Sequence, residues 1–439
     1  MSGSVASDAP ERSHPRATAP PPNLRIVRPR RAAPSEAARV TRAEINLAHV
    51  RHNLHEVRAC MAADATAAGR PPAEVWPVLK ADGYGHGAAA LGTTLERAGV
   101  DGICVALLEE AIELRQAGVA VPILVMGGYY GRYRDGLEAL VEHDLSPVVY
   151  DPEQLDRLGA AARYLHRGRA GGAATSPRLD VHLMVDTGMG RLGVRPDDEG
   201  LEALLDALHR HPELRLDALM THFACADEPD EAPTRAQLAG FDEVTARVRM
   251  AGFRPRRRHA ANSAACLRFP EAQMSFVRPG IAIVGVHPCP EAPRHTLRVA
   301  NLRPAMRVVS EVVALRQIPA GASIGYGHRW TAARPSRIAT LPMGYADGLD
   351  RALSHRGHVL IDGQRAPIVG SVSMDLTMVD VTDIDGVALR DEVVVLGRQR
   401  GRRHDDAITA EDIARQVGSI PWECLTGISR RVPRYYRHP

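Results

Sequence analysis

Between residues 75 and 284 the chain repeats one pattern: a short apolar run and then, after every run but the last, a stretch that fits a helix. The runs fall at 75–79, 103–106, 123–126, 147–150, 179–185, 216–221, 258–261 and 276–284. Helix candidates between them include 107–117, 137–143, 152–165, 197–211 and 232–251, and Val50, Leu54, Val57 and Met61 recur at helical spacing ahead of the first run. Short unbroken apolar runs alternating with helices suit parallel strands covered on both faces. Eight of them predict an α/β fold, a closed (β/α)8 TIM-type barrel, in which chemistry gathers at the C-terminal strand ends. Lys80, Asp186, His222, Asn262 and Arg278 all fall at such ends.

From about residue 301 short β-rich runs take over, at 305–318, 337–342, 358–361, 366–369, 378–381 and 392–396. They are broken by Pro319-Ala320-Gly321, Asp362-Gly363 and Asp385-Gly386, a spacing that predicts a mostly β C-terminal domain over 300–439, with a helix at 410–417 before a last basic strand. The barrel is expected over 40–299. Residues 1–39, rich in Ala, Pro, Ser and Arg, hold no apolar run long enough for a signal-peptide core or a membrane span and read as a disordered basic extension. The 439 residues, 45% hydrophobic and 24% charged, can bury one large core or two medium ones. Much of the net charge of +3 sits in arginines near the two ends, which argues against nucleic acid as the main partner. The six cysteines show no CxxC pair; they are expected to be reduced core residues of a cytoplasmic protein, and no metal site is expected.

The stretch with the most chemistry is Val78-Leu79-Lys80-Ala81-Asp82-Gly83-Tyr84-Gly85-His86-Gly87. Its apolar lead-in reads as a buried strand stopped by three glycines, with Lys80 at the mouth. Taken alone, Lys80 is an ordinary strand-end cation. Half desolvated in a cleft, it becomes a neutral nucleophile able to form a Schiff base with a carbonyl cofactor. Asn262-Ser263 opens a helix whose free backbone N–H groups attract a phosphate, and Val277-Arg278-Pro279-Gly280-Ile281 places a glycine where backbone can approach an anion. Two anion nests near barrel strands seven and eight, together with Lys80, indicate pyridoxal 5'-phosphate.

These segments, with Val185-Asp186-Thr187-Gly188-Met189-Gly190-Arg191-Leu192-Gly193, Thr221-His222-Phe223-Ala224, Gly325-Tyr326-Gly327, Pro342-Met343-Gly344-Tyr345-Ala346-Asp347-Gly348 and Ser373-Met374-Asp375, resemble the alanine racemase family from about residue 41 to 435. The resemblance implies a role for each residue. Lys80 would carry the cofactor and act as base on one face of the substrate Cα, and Tyr326 would serve the other. Two groups are needed because a single base returns the proton to the side it came from. A tyrosine near the ordinary phenol value of ~10 is a poor base at neutral pH. By resemblance His222, linked to Arg278, packs on the pyridine ring and favours the phenolate. Arg278 would face the pyridine nitrogen, Tyr84, Ser263, Gly280 and Ile281 would contact the phosphate, and Arg191 and Met374 would meet the substrate carboxylate. In the family a head-to-tail homodimer brings Tyr326 and Met374 to the partner's Lys80.

Some positions depart from the family pattern. Met184 stands where a carbamylated lysine often positions the equivalent of Arg191, Trp422 replaces a tyrosine, and Ser371 and Ser373 replace a frequent arginine and cysteine. The expectation is therefore a racemase interconverting L- and D-alanine and supplying D-alanine for peptidoglycan, with a broad-specificity amino-acid racemase as the alternative. A barrel-type decarboxylase and a non-catalytic cofactor-binding protein are weaker readings, because Arg278 disfavours the first and a second domain carrying Tyr326 disfavours the second. No membrane or nucleic-acid partner is expected.

Overall fold

The computed structural model describes residues 38–131, 134–168, 178–196, 199–289 and 301–437. Most of the expected N-terminal extension, and most of a Gly- and Arg-containing insertion at 166–177, lie outside the described residues. The chain opens with strand β1 (Arg42–Asn46) and helix α1 (Leu47–Ala67), whose first turn is capped by the Asn46 side chain accepting from the Ala48 and His49 N–H groups. Eight barrel strands follow: β2 (Glu74–Val75), β3 (Ile103–Val105), β4 (Ile123–Val125), β5 (Leu145–Val149), β6 (Leu179–Met184), β7 (Leu214–Met220), β8 (Arg257–His259) and β9 (Phe276–Val277).

Strands β3 to β8 form one parallel sheet in chain order, with Ile103 beside Ile123, Val148 beside His182, His182 beside Ala218 and Ala218 beside Arg257. Strands β2 and β9 pair separately, Glu74 beside Phe276. A parallel bridge from Val78 to Cys104 and a 2.9 Å hydrogen bond from the Arg278 N–H to the Ala261 carbonyl join that pair to β3 and β8. The result is the closed (β/α)8 barrel that the eight runs predict. Strands such as β3 and β4 are buried along their whole length, which is why they read as continuous apolar runs. The eighth run ends as a strand at Val277, because Pro279 has no N–H for a ladder and the chain then turns.

The helices between strands are α2 (Lys80–Tyr84), α3 (Ala88–Arg97), α4 (Leu108–Gln116), α5 (Arg134–Glu142), α6 (Pro152–Gly168), α7 (Gly200–Arg210), α8 (Ala232–Met250) and α9 (Ser263–Arg268). In α2 the glycine-rich stretch does more than stop a strand. Ala81, Asp82, Gly83 and Tyr84 have φ of 51°, 57°, 61° and 53°, a hydrogen-bonded left-handed turn.

The second domain is mostly β. Its main sheet orders Gln364–Pro367, His358–Ile361, Glu392–Arg400, β10 (Met306–Glu311), β1 and Arg434–Arg437, with Asp405–Ile408 beside Glu392–Arg400. Strand β1, counted with the barrel on sequence grounds, is thus hydrogen-bonded into this sheet, antiparallel to β10 and parallel to the last strand. Ala43 and Ile45 are fully buried there, but five residues give no sequence signal of which sheet they join. The helix at Ala410–Val417 matches its expected span and carries a Thr409/Asp412 capping box.

The end of the second domain presses on the Lys80 segment. Nε of Arg434 donates to the Gly85 carbonyl at 3.0 Å, and Gly85, at φ +78°, packs so closely on the Leu425 carbonyl that a Cβ would collide with it. Gly85→Ala is therefore expected to cost at least the ~1–2 kcal/mol of a left-handed alanine, with the collision added. Urea unfolding of the variant against the parent measures it, and an unchanged midpoint would mean that this contact is loose.

Candidate active site

Lys80 begins α2 directly after the β2 segment, so barrel closure sets it beside the residues that follow β7, β8 and β9. One pocket at this mouth is lined by Lys80, Tyr84, His222, Asn262, Ser263, Arg278, Gly280 and Ile281, the eight residues expected to hold the cofactor. Met126, Asp227, Pro288 and Trp422 complete much of its wall. A larger cavity between the domains, walled in part by Val284, Leu302, Met306, Leu396 and Ile408, has no lysine on its wall.

Lys80 is the sole lysine of the chain. Burial and then the Arg191 charge hold its amine below the usual lysine range, and Glu110 opposes them. Both Glu110 oxygens are occupied. Oε1 accepts from the Ala81 N–H at 2.6 Å, and Oε2 accepts from the Ala106 and Leu107 N–H groups at 2.8 and 3.0 Å, tying α2 to the start of α4. Sequence reasoning missed Glu110, because its spacing before Leu114 reads only as the first turn of a helix.

Ser263, Asn262, Tyr84 and Gly280 form another part of the wall. Ser263 Oγ accepts from the Gly280 N–H at 2.8 Å, and Asn262 caps α9 by accepting from the Ala265 N–H at 2.9 Å. The Tyr84 hydroxyl lies where a Cβ on Gly280 would be, so only glycine admits it. Burial pushes the Tyr84 phenol up, which keeps it a donor.

Arg278, 2% exposed, has no carboxylate contact among the described residues. Its Nη2 donates to the Thr221 carbonyl (3.0 Å), the Ala260 carbonyl (2.9 Å) and His222 Nδ1 (3.3 Å), and its Nη1 donates to His259 Nδ1 (2.6 Å). Burial pushes its pKa down to about 10, so it stays charged at neutral pH. Burial, then the charges of Arg278, Arg191 and Lys80, push His222 down to about 3. A neutral imidazole that accepts at Nδ1 carries its hydrogen on Nε2.

Tyr326 and Met374 are 75% and 52% exposed, and neither lines the pocket of its own chain. The Tyr326 turn is braced by Ser371, whose Oγ donates to the Tyr326 carbonyl at 3.3 Å. Arg191 is exposed beside the pocket and makes no ion pair among the described residues. Asp186 spends its carboxylate on the turn that follows it, accepting from the Gly188, Met189 and Gly190 N–H groups at about 3 Å. Met184 is buried and uncharged. Among the described residues no group of His, Cys, Asp or Glu could hold a metal ion, and no helix is long and apolar enough to cross a membrane. All six cysteines are free thiols.

A barrel mouth gathers one lysine, the hydroxyls of Tyr84 and Ser263 and a buried guanidinium in one pocket, with Trp422 of the β domain on its wall. Family models place the chain: the alanine racemase N-terminal domain matches residues 45–288, and the alanine racemase C-terminal domain matches 305–436. The chain belongs to the alanine racemase family, a family of isomerases. A relative from Sorangium cellulosum named alanine racemase is 56% identical over 401 residues, covering 91% of this chain and 100% of that one. Alanine racemase 2 of Caldanaerobacter subterraneus is 38% identical over 398 residues, covering 91% and 95%. The crystal structure of the alanine racemase from Bacillus anthracis with bound L-Ala-P superposes with a TM-score of 0.80 at 32% identity, covering 92% of this chain and 96% of that one.

Because Lys80 has no competing lysine, amine acylation of the cofactor-free protein titrates it directly, apart from the N-terminus. Arg191→Gln removes a cation that depresses Lys80, so the half-point of acylation is expected to move to higher pH, and less so in high salt. An unmoved half-point would show that the Arg191 charge is not felt at the amine.

Proposed function

We propose that this chain is a pyridoxal-phosphate-dependent alanine racemase that interconverts L- and D-alanine with Lys80 and Tyr326 as its two bases. The observation that carries the reading is the pocket itself, in which the sole lysine, Arg278 and the Tyr84–Ser263–Gly280 group line one cavity. Those residues fit the cofactor. The hydroxyls of Tyr84 and Ser263, with backbone at Gly280 and Ile281 and the N-terminus of α9 behind Asn262, suit a phosphate. Arg278 suits a ring nitrogen that accepts a hydrogen bond. Bound there, the cofactor supplies a carbonyl for the substrate amine and a ring that withdraws the electron pair left when Cα–H breaks.

This chain's own groups do the rest. Lys80, whose hold on its proton is weakened by burial and then by Arg191, can hold the cofactor and take or return a proton at one face of Cα. Arg278 stays charged, so it disfavours protonation of the ring nitrogen and limits the charge the ring draws away, which favours return of the proton to Cα. His222, neutral with its hydrogen on Nε2, is suited to donate to a tyrosine oxygen and stabilise the phenolate. Arg191 can receive the substrate carboxylate. The exposure of Tyr326 and Met374, away from their own chain's pocket, supports a homodimer in which each chain completes its partner's site. Supply of D-alanine for peptidoglycan, in the cytoplasm, is the role that fits this activity.

Deuterium incorporation at Cα in D2O, with chirality read separately, tests the proposal. Both enantiomers of alanine are expected to exchange and invert. Lys80→Ala should abolish the reaction, and Tyr326→Phe should slow inversion by ~10²–10⁴ while leaving exchange from one enantiomer. Equal turnover of serine, lysine or arginine would make it a broad-specificity racemase, and no exchange with any amino acid would sink the reading. Mixing Lys80→Ala and Tyr326→Phe chains should restore about a quarter of parental activity if sites are shared across a symmetric dimer, and none if each chain is self-sufficient.

A further inference from the structure

Behind Arg278 a line of buried polar side chains runs into the barrel interior. Arg278 Nη1 donates to His259 Nδ1 at 2.6 Å, His259 Nε2 lies 3.0 Å from His182 Nδ1, and His182 Nε2 lies 3.8 Å from Asp217 Oδ2. None of the four residues is more than 2% exposed. Their proton positions follow from the guanidinium end. Arginine only donates, so His259 Nδ1 accepts and the hydrogen sits on its Nε2. That hydrogen points at His182 Nδ1, which leaves the His182 Nε2–H facing the Asp217 carboxylate.

Charge keeps this arrangement single. Burial and then Arg278 hold His259 well below the usual histidine range, and burial holds His182 down to about 4 despite Asp217, so both rings are neutral. An imidazolium here would add a second buried cation beside Arg278. Burial pushes the Asp217 carboxyl up, but hydrogen bonds from Arg256 and Arg257 outweigh it and keep Asp217 ionised. Phe276 stacks on His259 with centroids 4.1 Å apart and on Trp76 at 4.5 Å, and these rings shield the line from water.

We propose that Asp217 is a positioning residue for the reaction: through His182 and His259 it holds Arg278 where the cofactor's ring nitrogen binds. This rests on the reading of the pocket given above. The 3.8 Å gap is longer than a hydrogen bond, so the carboxylate acts there as a fixed charge that orients the His182 N–H dipole. Two imidazoles aligned by it present a strengthened acceptor to Arg278, a buried cation whose other partners among the described residues are two carbonyls and His222. The competing role for Asp217 is purely structural, tying Arg256 and Arg257 to β7.

The test begins with the cofactor-free protein labelled with ¹⁵N-histidine. Two downfield imidazole N–H resonances are expected, from Nε2 of His259 and of His182, and Asp217→Asn should move both upfield. Affinity for pyridoxal phosphate should fall about tenfold in Asp217→Asn and recover in Asp217→Glu. His182→Phe, which keeps a ring in the core, should lose as much, and the double variant Asp217→Asn/His182→Phe should be no weaker than either alone. Unchanged resonances and affinity in Asp217→Asn overturn the proposal, as do additive losses in the double variant. Should Asp217→Asn not fold, unchanged affinity in His182→Phe overturns it instead. Failure of the parent protein to bind the cofactor sinks the functional reading, whereas the resonances test the line without any cofactor.

Discussion

A buried guanidinium with no carboxylate in contact among the described residues is the constraint on which the site depends. Burying a lone charge is costly unless its hydrogen-bonding capacity is met, and Arg278 meets it with the Thr221 and Ala260 carbonyls and two imidazoles. Those carbonyls follow β7 and β8, and Arg278 itself follows β9. The side chain therefore fastens three successive strand ends together at the mouth. Its neighbour His222 is neutral because it is buried and, next, because a second cation beside Arg278 would be repelled.

Much of the fold was legible because burial leaves a plain trace. A parallel strand covered on both faces must be apolar throughout, so β3, β4 and β6 stand out in the sequence as largely apolar runs. Strand β1 left no such trace, since the polar Arg42, Glu44 and Asn46 alternate with only two apolar residues, Ala43 and Ile45, and its partners lie far along the chain. The pocket residues were found through motifs at strand ends. His182 and His259 were not, because a histidine inside a strand run looks like a satisfied core residue, and only the barrel's register brings them together. Glu110 escaped for the opposite reason, its capping of Ala81 being a contact between segments that no local spacing reveals.

The second domain bears on the barrel's chemistry even within one chain. Ala81, Asp82 and Tyr84 hold left-handed backbone, which costs an L-residue ~1–2 kcal/mol each. Local bonds offset part of this: Glu110 accepts from the Ala81 N–H, and Asp82 Oδ1 accepts from the Ala88 N–H at 2.9 Å. The rest of the support comes from outside the barrel, through Arg434 on the Gly85 carbonyl and the tight packing of Gly85 on Leu425. Backbone strain held by surrounding structure recurs where position matters to function. Here it sets the backbone course that leads away from Lys80, at the head of the same turn.

A sole lysine sharpens that point. Carbonyl compounds condense with neutral amines, and a guanidinium remains charged far above neutral pH, so no arginine of this chain competes with Lys80 for a reactive aldehyde. Selectivity for the site then needs no discrimination among surface lysines. What the fold must add is a lowered pKa, and it does so with burial first and the Arg191 charge second. The same Arg191 stands exposed beside the pocket, where a carboxylate could meet it. An anion bound at Arg191 would relieve its effect on Lys80 and raise the amine's proton affinity, because one Coulombic interaction links the two side chains.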